Sequence, residues 1–251
     1  MLAKRVYASW LGGKTVASRI MEEMKVSRWK IHWLEAEGPL EDIKGDVTAA
    51  VGIAQEVLGR HAGHQPLDIL VQQRAGEVIP EIGVLGVAQR KSLFSLSVDT
   101  LNPNFASSLV DGTLSRHVAH EAHHCYRMAG PGYGRTLGEA LVSEGLAGQF
   151  VSRTFASAPE LWECAISLTE LLRYLPRPEE LHSTNYDHAS WFFGTSPQRP
   201  RWLGYSLGYQ IVAHWIEKVC PSEPHRWIQV SANEVLESGL AALYQMDLQG
   251  V

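Results

Sequence analysis

Three histidines and a glutamate lie close together near the middle of the chain, in the segment HEAHH that runs from His120 to His124. Residues four apart lie one above the other on a helix, so His120 and His124 can each offer an imidazole nitrogen to one ion. Glu121 lies one residue round the helix, beside that ion, where it can take a proton from a water molecule that the metal activates. The segment therefore predicts a zinc site with Glu121 as general base.

The spacing H-E-x-x-H is specific enough to carry weight. With 11 His in 251 residues, chance should produce roughly 0.03 such matches in a chain of this length. The alternative is that His120 and His124 are ordinary core or surface histidines, and the surrounding helical pattern disfavours it.

A zinc ion that keeps one position open for water needs a third protein ligand. The longer pattern HExxHxxGxxH requires Gly at 127 and His at 130, but these positions hold Arg127 and Gly130. The following glycine-rich stretch, residues 130–134, contains no acid. A glutamate on the next predicted helix remains, and the candidates are Glu139 and Glu144.

The apolar pattern of that next helix separates the two glutamates. Residues 136–151 carry one apolar stripe, and Glu144 lies on it at i+3 and i+7 from Leu141 and Leu137, whereas Glu139 lies off it. A carboxylate on a buried face is costly unless it is paired or binds a metal. We therefore predict Glu144 as the third ligand, with a paired structural carboxylate as the alternative.

Three segments resemble a known family. VAHEAHH (118–124), LVSEGLA (141–147) and GYSLGYQIV (204–212) resemble the DUF2268 family of predicted zinc-dependent proteases, and the interval from the second histidine to the glutamate is similar to that of thermolysin-like gluzincins. The resemblance implies a zincin-like fold and metal ligands His120, His124 and Glu144. One departure is Gly148, which stands where thermolysin-like enzymes have an aspartate that supports the first histidine. Another group must therefore orient His120.

A hydroxyl donor for the oxyanion of a tetrahedral intermediate is the remaining requirement of such a site. Tyr205 and Tyr209, four apart on a predicted helix, are the candidates, and packing is the alternative role for each. His117 is expected at the solvent side or the edge of the cleft, and His123 is expected to point away from the ligand pair. Three histidines of the C-terminal half are alternative candidates for this donor role: His188, His214 and His225.

The elements that must position these residues follow from periodicity and from Gly and Pro breaks. The predicted strands are Asp68–Gln72, Ile79–Ala88 and Ser92–Val98. The predicted helices span 40–61, 113–128, 136–151, 157–175, 203–219 and 232–245, with a long loop over 176–200. This order predicts an α+β, zincin-like fold in which a small antiparallel or mixed sheet precedes the active-site helix. We expect one domain, 1–251, with an α/β lobe over about 1–130 and a helical lobe over about 131–251.

Composition excludes several classes of protein. A net charge of -5 and a pI near 6.1 disfavour a nucleic-acid partner, and the basic residues among the first thirty are interpreted as a solvated face. Cys125, Cys164 and Cys220 show no CxxC spacing, which favours reduced thiols. The sequence shows no signal peptide and no apolar run of roughly 18–20 residues, so it predicts a cytoplasmic protein without a membrane partner.

Three functions fit the sequence. The favoured one is a zinc endopeptidase acting on a peptide or protein, with an extended substrate paired to strand Ile79–Ala88 or Ser92–Val98. The alternatives are a zinc hydrolase for a non-peptide amide or ester, and a non-catalytic regulator or binding module stabilised by the metal. The intact Glu121 disfavours the regulator, because a structural site does not need a base.

Overall fold

The sheet lies in the N-terminal half of the described chain. The computed structural model describes residues 29–219 and 224–249, and its strands are β1 (Trp29–Leu34), β2 (Leu67–Gln73), β3 (Val84–Arg90) and β4 (Leu93–Val98). In space they follow the order β1-β2-β4-β3. β1, β2 and β4 are parallel neighbours, whereas β3 pairs antiparallel with β4 as a hairpin. The sheet is therefore mixed, and β3 forms one edge of it.

One helix connects two parallel strands of the sheet, and a second helix follows the last strand. Parallel strands need a crossover, and helix α1 (Lys44–Ala62) provides it between β1 and β2, entered through a 3-10 turn at Glu41–Ile43. α1 buries one apolar face that includes Val47, Val51 and Leu58. After β4 the short helix α2 (Phe105–Val110) leads toward the centre of the molecule.

The central helix is α3 (Thr113–Met128), which carries the HEAHH segment. It begins directly after Gly112, whose φ of 85° lies in the left-handed region that favours glycine. α3 packs against α1 and β3, and it is buried on nearly all sides from Leu114 to Arg127. Its polar residues therefore lie in the interior.

Helix α4 (Leu137–Thr154) packs beside α3. It begins with a capping box, in which Thr136 accepts from the Glu139 amide and the Glu139 carboxylate accepts from the Thr136 amide. Glu139 is thus engaged at the start of the helix, while Glu144 lies a little more than one turn further on.

Three short helices follow α4 in the chain: α5 (Leu168–Leu171), α6 (Pro178–Leu181) and α7 (His188–Phe193). The next helix, α8 (Leu203–Val219), crosses α4 at a pair of glycines. A Cβ atom on Gly145 would overlap the carbonyl oxygen of Gly208 and lie 2.8 Å from Val212 Cγ2. Only glycine at 145 allows the two backbones to approach this closely. The chain ends in α9 (Pro224–Gln229), α10 (Ala232–Val235), a π-helical turn at Leu236–Leu240 and α11 (Ala241–Gln249).

The α+β, zincin-like fold is confirmed, and several of its elements differ from the prediction. β1 was not predicted. The third strand begins at Val84 and not at Ile79, because Pro80 and Gly83 (φ 69°) form a tight turn before it. The predicted helix over 157–175 is wrong: after Ala156 (φ 49°) the chain forms turns, and only α5 and a 3-10 turn (Leu172–Tyr174) are helical there. The predicted loop over 176–200 contains α6 and α7.

Two further predictions concern the whole chain. No helix among the described residues is long and apolar enough to cross a membrane. Cys125 and Cys164 are free thiols, while Cys220 and most of the basic N-terminal residues lie outside the described residues. The single-domain organisation stays a prediction.

Candidate metal centre

Three buried side chains from α3 and α4 converge on one point. His120 Nε2 lies 3.0 Å from His124 Nε2 and 3.0 Å from Glu144 Oε2, and His124 Nε2 lies 3.3 Å from Glu144 Oε1. Two nitrogens bound at about 2.0–2.1 Å to a tetrahedral zinc ion would be about 3.3 Å apart. The spacing and the donor types therefore fit a group that can hold a metal ion.

The electrostatics of this group favour positive charge. Burial lowers the pKa of His120, but the hydrogen bond and the charge of Glu144 outweigh it and raise that pKa to about 9. Burial raises the pKa of Glu144, but the charge of His124 and the hydrogen bonds from both histidines outweigh burial. The pKa of Glu144 is therefore held well below its usual range. An ionised carboxylate between two imidazoles is a site in which a cation can replace a proton.

Glu121 lies beside the ligand group and against the edge strand β3. A Cβ atom on Gly86 would lie 2.6 Å from the carboxyl carbon of Glu121. Burial raises the pKa of Glu121 above its usual value, while the charges of His124 and His120 and the Ala88 backbone lower it. A carboxyl group with a raised pKa that lies beside the ligand group suits general-base chemistry.

His117 connects α3 to the same strand. The Gly86 amide donates to His117 Nε2 at 2.8 Å, and burial lowers the pKa of His117 to about 3. The ring is therefore neutral and accepts the bond. His117 borders the cleft but is buried, so it does not face solvent. His123 points away as expected, and its ring packs against Phe150.

The structure separates the two candidate tyrosines. Tyr205 lines the cleft beside the ligand group, and burial raises its pKa well above the ordinary value, so its hydroxyl remains a donor. Tyr209 lies elsewhere: its hydroxyl pairs with Ser152 Oγ at 3.0 Å, and it is not among the residues that line the cleft. The structure thus brings Tyr205, but not Tyr209, to the ligands.

The structure also distinguishes between the histidines that are alternative candidates for the donor role. His188 lines the cleft, with Nδ1 3.2 Å from the Tyr186 hydroxyl, and burial lowers its pKa, which keeps it neutral. His214 pairs with Glu217 away from the cleft. The side chain of His225 lies outside the described residues.

Two residues at the site were missed by sequence reasoning. The Tyr133 hydroxyl donates to Glu144 Oε1 at 2.6 Å. Tyr133 belongs to the glycine-rich stretch 130–134, which contains no acid but does contain this hydroxyl group. Glu163 is 4% exposed, and its Oε1 is buried without a hydrogen-bond partner. Burial raises the pKa of Glu163 to about 7, although the charge of His120 lowers it.

The ligand group opens into a cleft of about 590 Å³. One wall is β3 with the turn before it, and the other is largely aromatic. Its apolar and aromatic lining residues are Val78, Ile79, Pro80, Leu85, Val87, Ala88, Met128, Tyr133, Trp162, Phe193, Trp202 and Tyr205. Val87 (49% exposed) and Phe193 (43% exposed) are large apolar side chains at its rim. Arg201 also lines the cleft, and it forms a two-pronged ion pair with Glu81 at 2.8 and 3.1 Å.

Comparisons with known proteins agree with this geometry. Residues 65–237, more than half of the chain, match the model of a family described as "Predicted Zn-dependent protease (DUF2268)". The matched range includes all three candidate ligands and Glu121. No curated protein and no solved structure matches the chain.

Proposed function

The chain belongs to the DUF2268 family of predicted zinc-dependent proteases, and from this premise we propose that it is a zinc metallopeptidase that cuts peptide bonds within a chain. One observation carries the proposal. A buried His-His-Glu group that can hold a metal lies directly beside a buried carboxyl group that is not part of it, Glu121. A purely structural zinc site has no need of that additional carboxyl group.

The proposed roles of the residues follow from their positions. His120, His124 and Glu144 would hold the zinc ion, which would lower the pKa of water and polarise a carbonyl group. Glu121 accepts a proton from the attacking water and later delivers it to the leaving amine. Tyr205, which burial keeps protonated, donates to the carbonyl oxygen as negative charge develops on it.

The edge strand supports an extended substrate. Among the strands of the described sheet β3 pairs only with β4, and residues 85–88 of β3 line the cleft. An extended peptide can therefore lie along β3, with its side chains alternating between the cleft and solvent. It would bond to backbone groups of β3 other than the Gly86 amide, which already donates to His117. The apolar and aromatic lining favours apolar side chains beside the scissile bond.

The charges around the cleft support cleavage within a chain. Arg201 is the only Lys or Arg among the described lining residues, and Glu81 neutralises it. The lining acids are Glu121 and Glu144, which have other roles. The described part of the cleft thus offers neither a free cation for a terminal carboxylate nor a free acid for a terminal amine.

The test combines metal analysis with a peptide library. Protein purified without added metal should contain about one equivalent of zinc and should cut internal bonds of the library. Glu121→Gln should keep the zinc and lose cleavage, whereas His120→Ala should lose both. Zinc binding with ester or small-amide hydrolysis alone would instead identify a non-peptide hydrolase. Zinc binding without any hydrolysis would identify a metal-stabilised regulator.

A further inference from the structure

A histidine that binds a metal through one ring nitrogen carries its proton on the other. Both close contacts of His120 to the other candidate ligands run through Nε2, so ligation places the proton on Nδ1. Such an N–H is almost always donated to a carboxylate, a carbonyl group or water, which fixes the ring and increases its basicity. His120 therefore needs an acceptor that is not itself a ligand.

Glu163 is a buried carboxyl group with an unused acceptor. Its Oε2 accepts from the Glu160 amide at 2.8 Å, whereas its Oε1 is buried without a partner. A buried oxygen that makes no hydrogen bond costs free energy. The tight turn at Glu160–Glu163, closed by a backbone hydrogen bond of 2.9 Å, nevertheless holds the side chain in the interior.

Its position places it behind the ligand group. A Cβ atom on Gly148 would lie 2.8 Å from the carboxyl carbon of Glu163. Gly148 is four residues after Glu144, on the same face of α4, so the Glu163 carboxyl group fills space one helical turn beyond the ligand. The charges of Glu163 and His120 also act on each other.

The other buried carboxyl groups near His120 are occupied. Glu144 contacts both histidines and Tyr133, and Glu121 lies against Gly86 on β3. We propose that Glu163 is a positioning residue whose free Oε1 accepts the Nδ1 proton of His120 when the metal is bound. The bond is not formed in the structure and requires the Glu163 carboxyl group to turn toward the ring.

The proposal rests on the zinc site of the proposed function, so zinc affinity decides it without any substrate. Glu163→Gln preserves size and removes the charge. Its zinc dissociation constant, measured by competition with a chromophoric chelator, should rise by about 10- to 100-fold. The melting temperature of the metal-free variant should not fall, because the variant buries no ionisable carboxyl group. Glu170→Gln, an exposed change on α5, is the matched control and should leave the affinity unchanged.

The outcomes separate this inference from the zinc site itself. Wild-type protein that binds no zinc would contradict the proposed function. Wild-type protein that binds zinc, with Glu163→Gln binding it equally well, would overturn the role of Glu163 alone. If Glu163→Gln does not fold, the structure of the zinc-loaded wild type decides. A hydrogen bond of about 2.7–3.2 Å between Glu163 and His120 Nδ1 supports the proposal, and any other acceptor at Nδ1 overturns it.

Discussion

Gly86→Ala tests whether the edge strand holds the general base in place. The added Cβ atom would lie 2.6 Å from the Glu121 carboxyl carbon and 2.8 Å from its Oε1. Non-bonded carbon atoms are most stable at about 3.5–4.0 Å, so the carboxyl group must move by about 1 Å. The φ angle of Gly86 is not positive, and the backbone itself therefore accepts alanine.

A displacement of this size is large for proton transfer and small for stability. Misplacing a reacting group by about 1 Å can lower the rate by about 100-fold, which corresponds to about 2.7 kcal/mol of transition-state stabilisation. The three atoms nearest to the new methyl group all belong to Glu121 and none to a candidate ligand, so zinc content should remain at the wild-type level. The Gly86 amide also remains, and with it the bond to His117.

The assay is kcat/KM on a peptide that the wild type cuts, with zinc content and melting temperature measured on the same samples. Gly52→Ala is the matched control, because a Cβ atom there meets nothing within 4 Å. We expect wild-type activity from the control and about 1% of it from Gly86→Ala. A Gly86→Ala enzyme with full zinc and more than half of the wild-type activity would refute the placement of the base. If Gly86→Ala loses its zinc, the assignment of separate roles to Glu121 and to the metal ligands is refuted.

Three other predictions, tested with four substitutions, concern the surrounding structure. Gly145→Ala forces a Cβ atom into the Gly208 carbonyl group, so it should cost about 1–3 kcal/mol and lower the melting temperature by several degrees. Burial lowers the pKa of His117 from 6.5 to about 3, so stability should be complete above pH 6.5 and fall as the pH drops toward 3. His117→Gln does not titrate and should reduce that slope by up to about 1.4 kcal/mol per pH unit in urea denaturation of the metal-free protein. Glu144→Ala should lose zinc in a chelator competition, whereas Glu139→Ala should keep zinc and lose about 1 kcal/mol of stability with its capping box.

Each of these predictions has an outcome that contradicts it. Equal melting temperatures for Gly145→Ala and Gly52→Ala would show that α4 and α8 do not cross at this glycine. Parallel stability curves for wild type and His117→Gln between pH 4 and 7 would show that the ring is not buried neutral. Equal zinc loss from Glu144→Ala and Glu139→Ala would contradict the assignment of Glu144, and not Glu139, as the third ligand.

The ligand group was predictable from the sequence because its determinants are local. The i, i+4 spacing of His120 and His124 places both rings on one face of any helix, and Glu144 lies on the stripe that α4 must bury. Glu139 was separable for a related reason. Its place off that stripe agrees with its use as a capping residue, where its carboxylate accepts from the Arg135 and Thr136 amides.

The surroundings of the site depend on contacts between distant residues, which periodicity does not show. Glu163 lies in a segment whose apolar spacing fits a helix, but the segment forms turns, and its carboxyl group packs against Gly148 on a distant helix. Tyr209 has the same spacing signal as Tyr205, but the α4–α8 crossing directs its hydroxyl to Ser152. β1 follows a basic run and is stabilised by pairing with β2, more than thirty residues away.

The placement of the ligands on two successive helices also bears on the order of folding. The candidate ligands all fall between His120 and Glu144, whereas β1 must find β2 across the whole of α1. Closing a short segment costs less conformational entropy than pairing distant strands. The α3–α4 pair can therefore gather the candidate ligands while the sheet is still unformed, and we expect zinc to act as a nucleating ligand. Stopped-flow refolding should be faster with stoichiometric zinc than with chelator, and Glu144→Ala should abolish that difference.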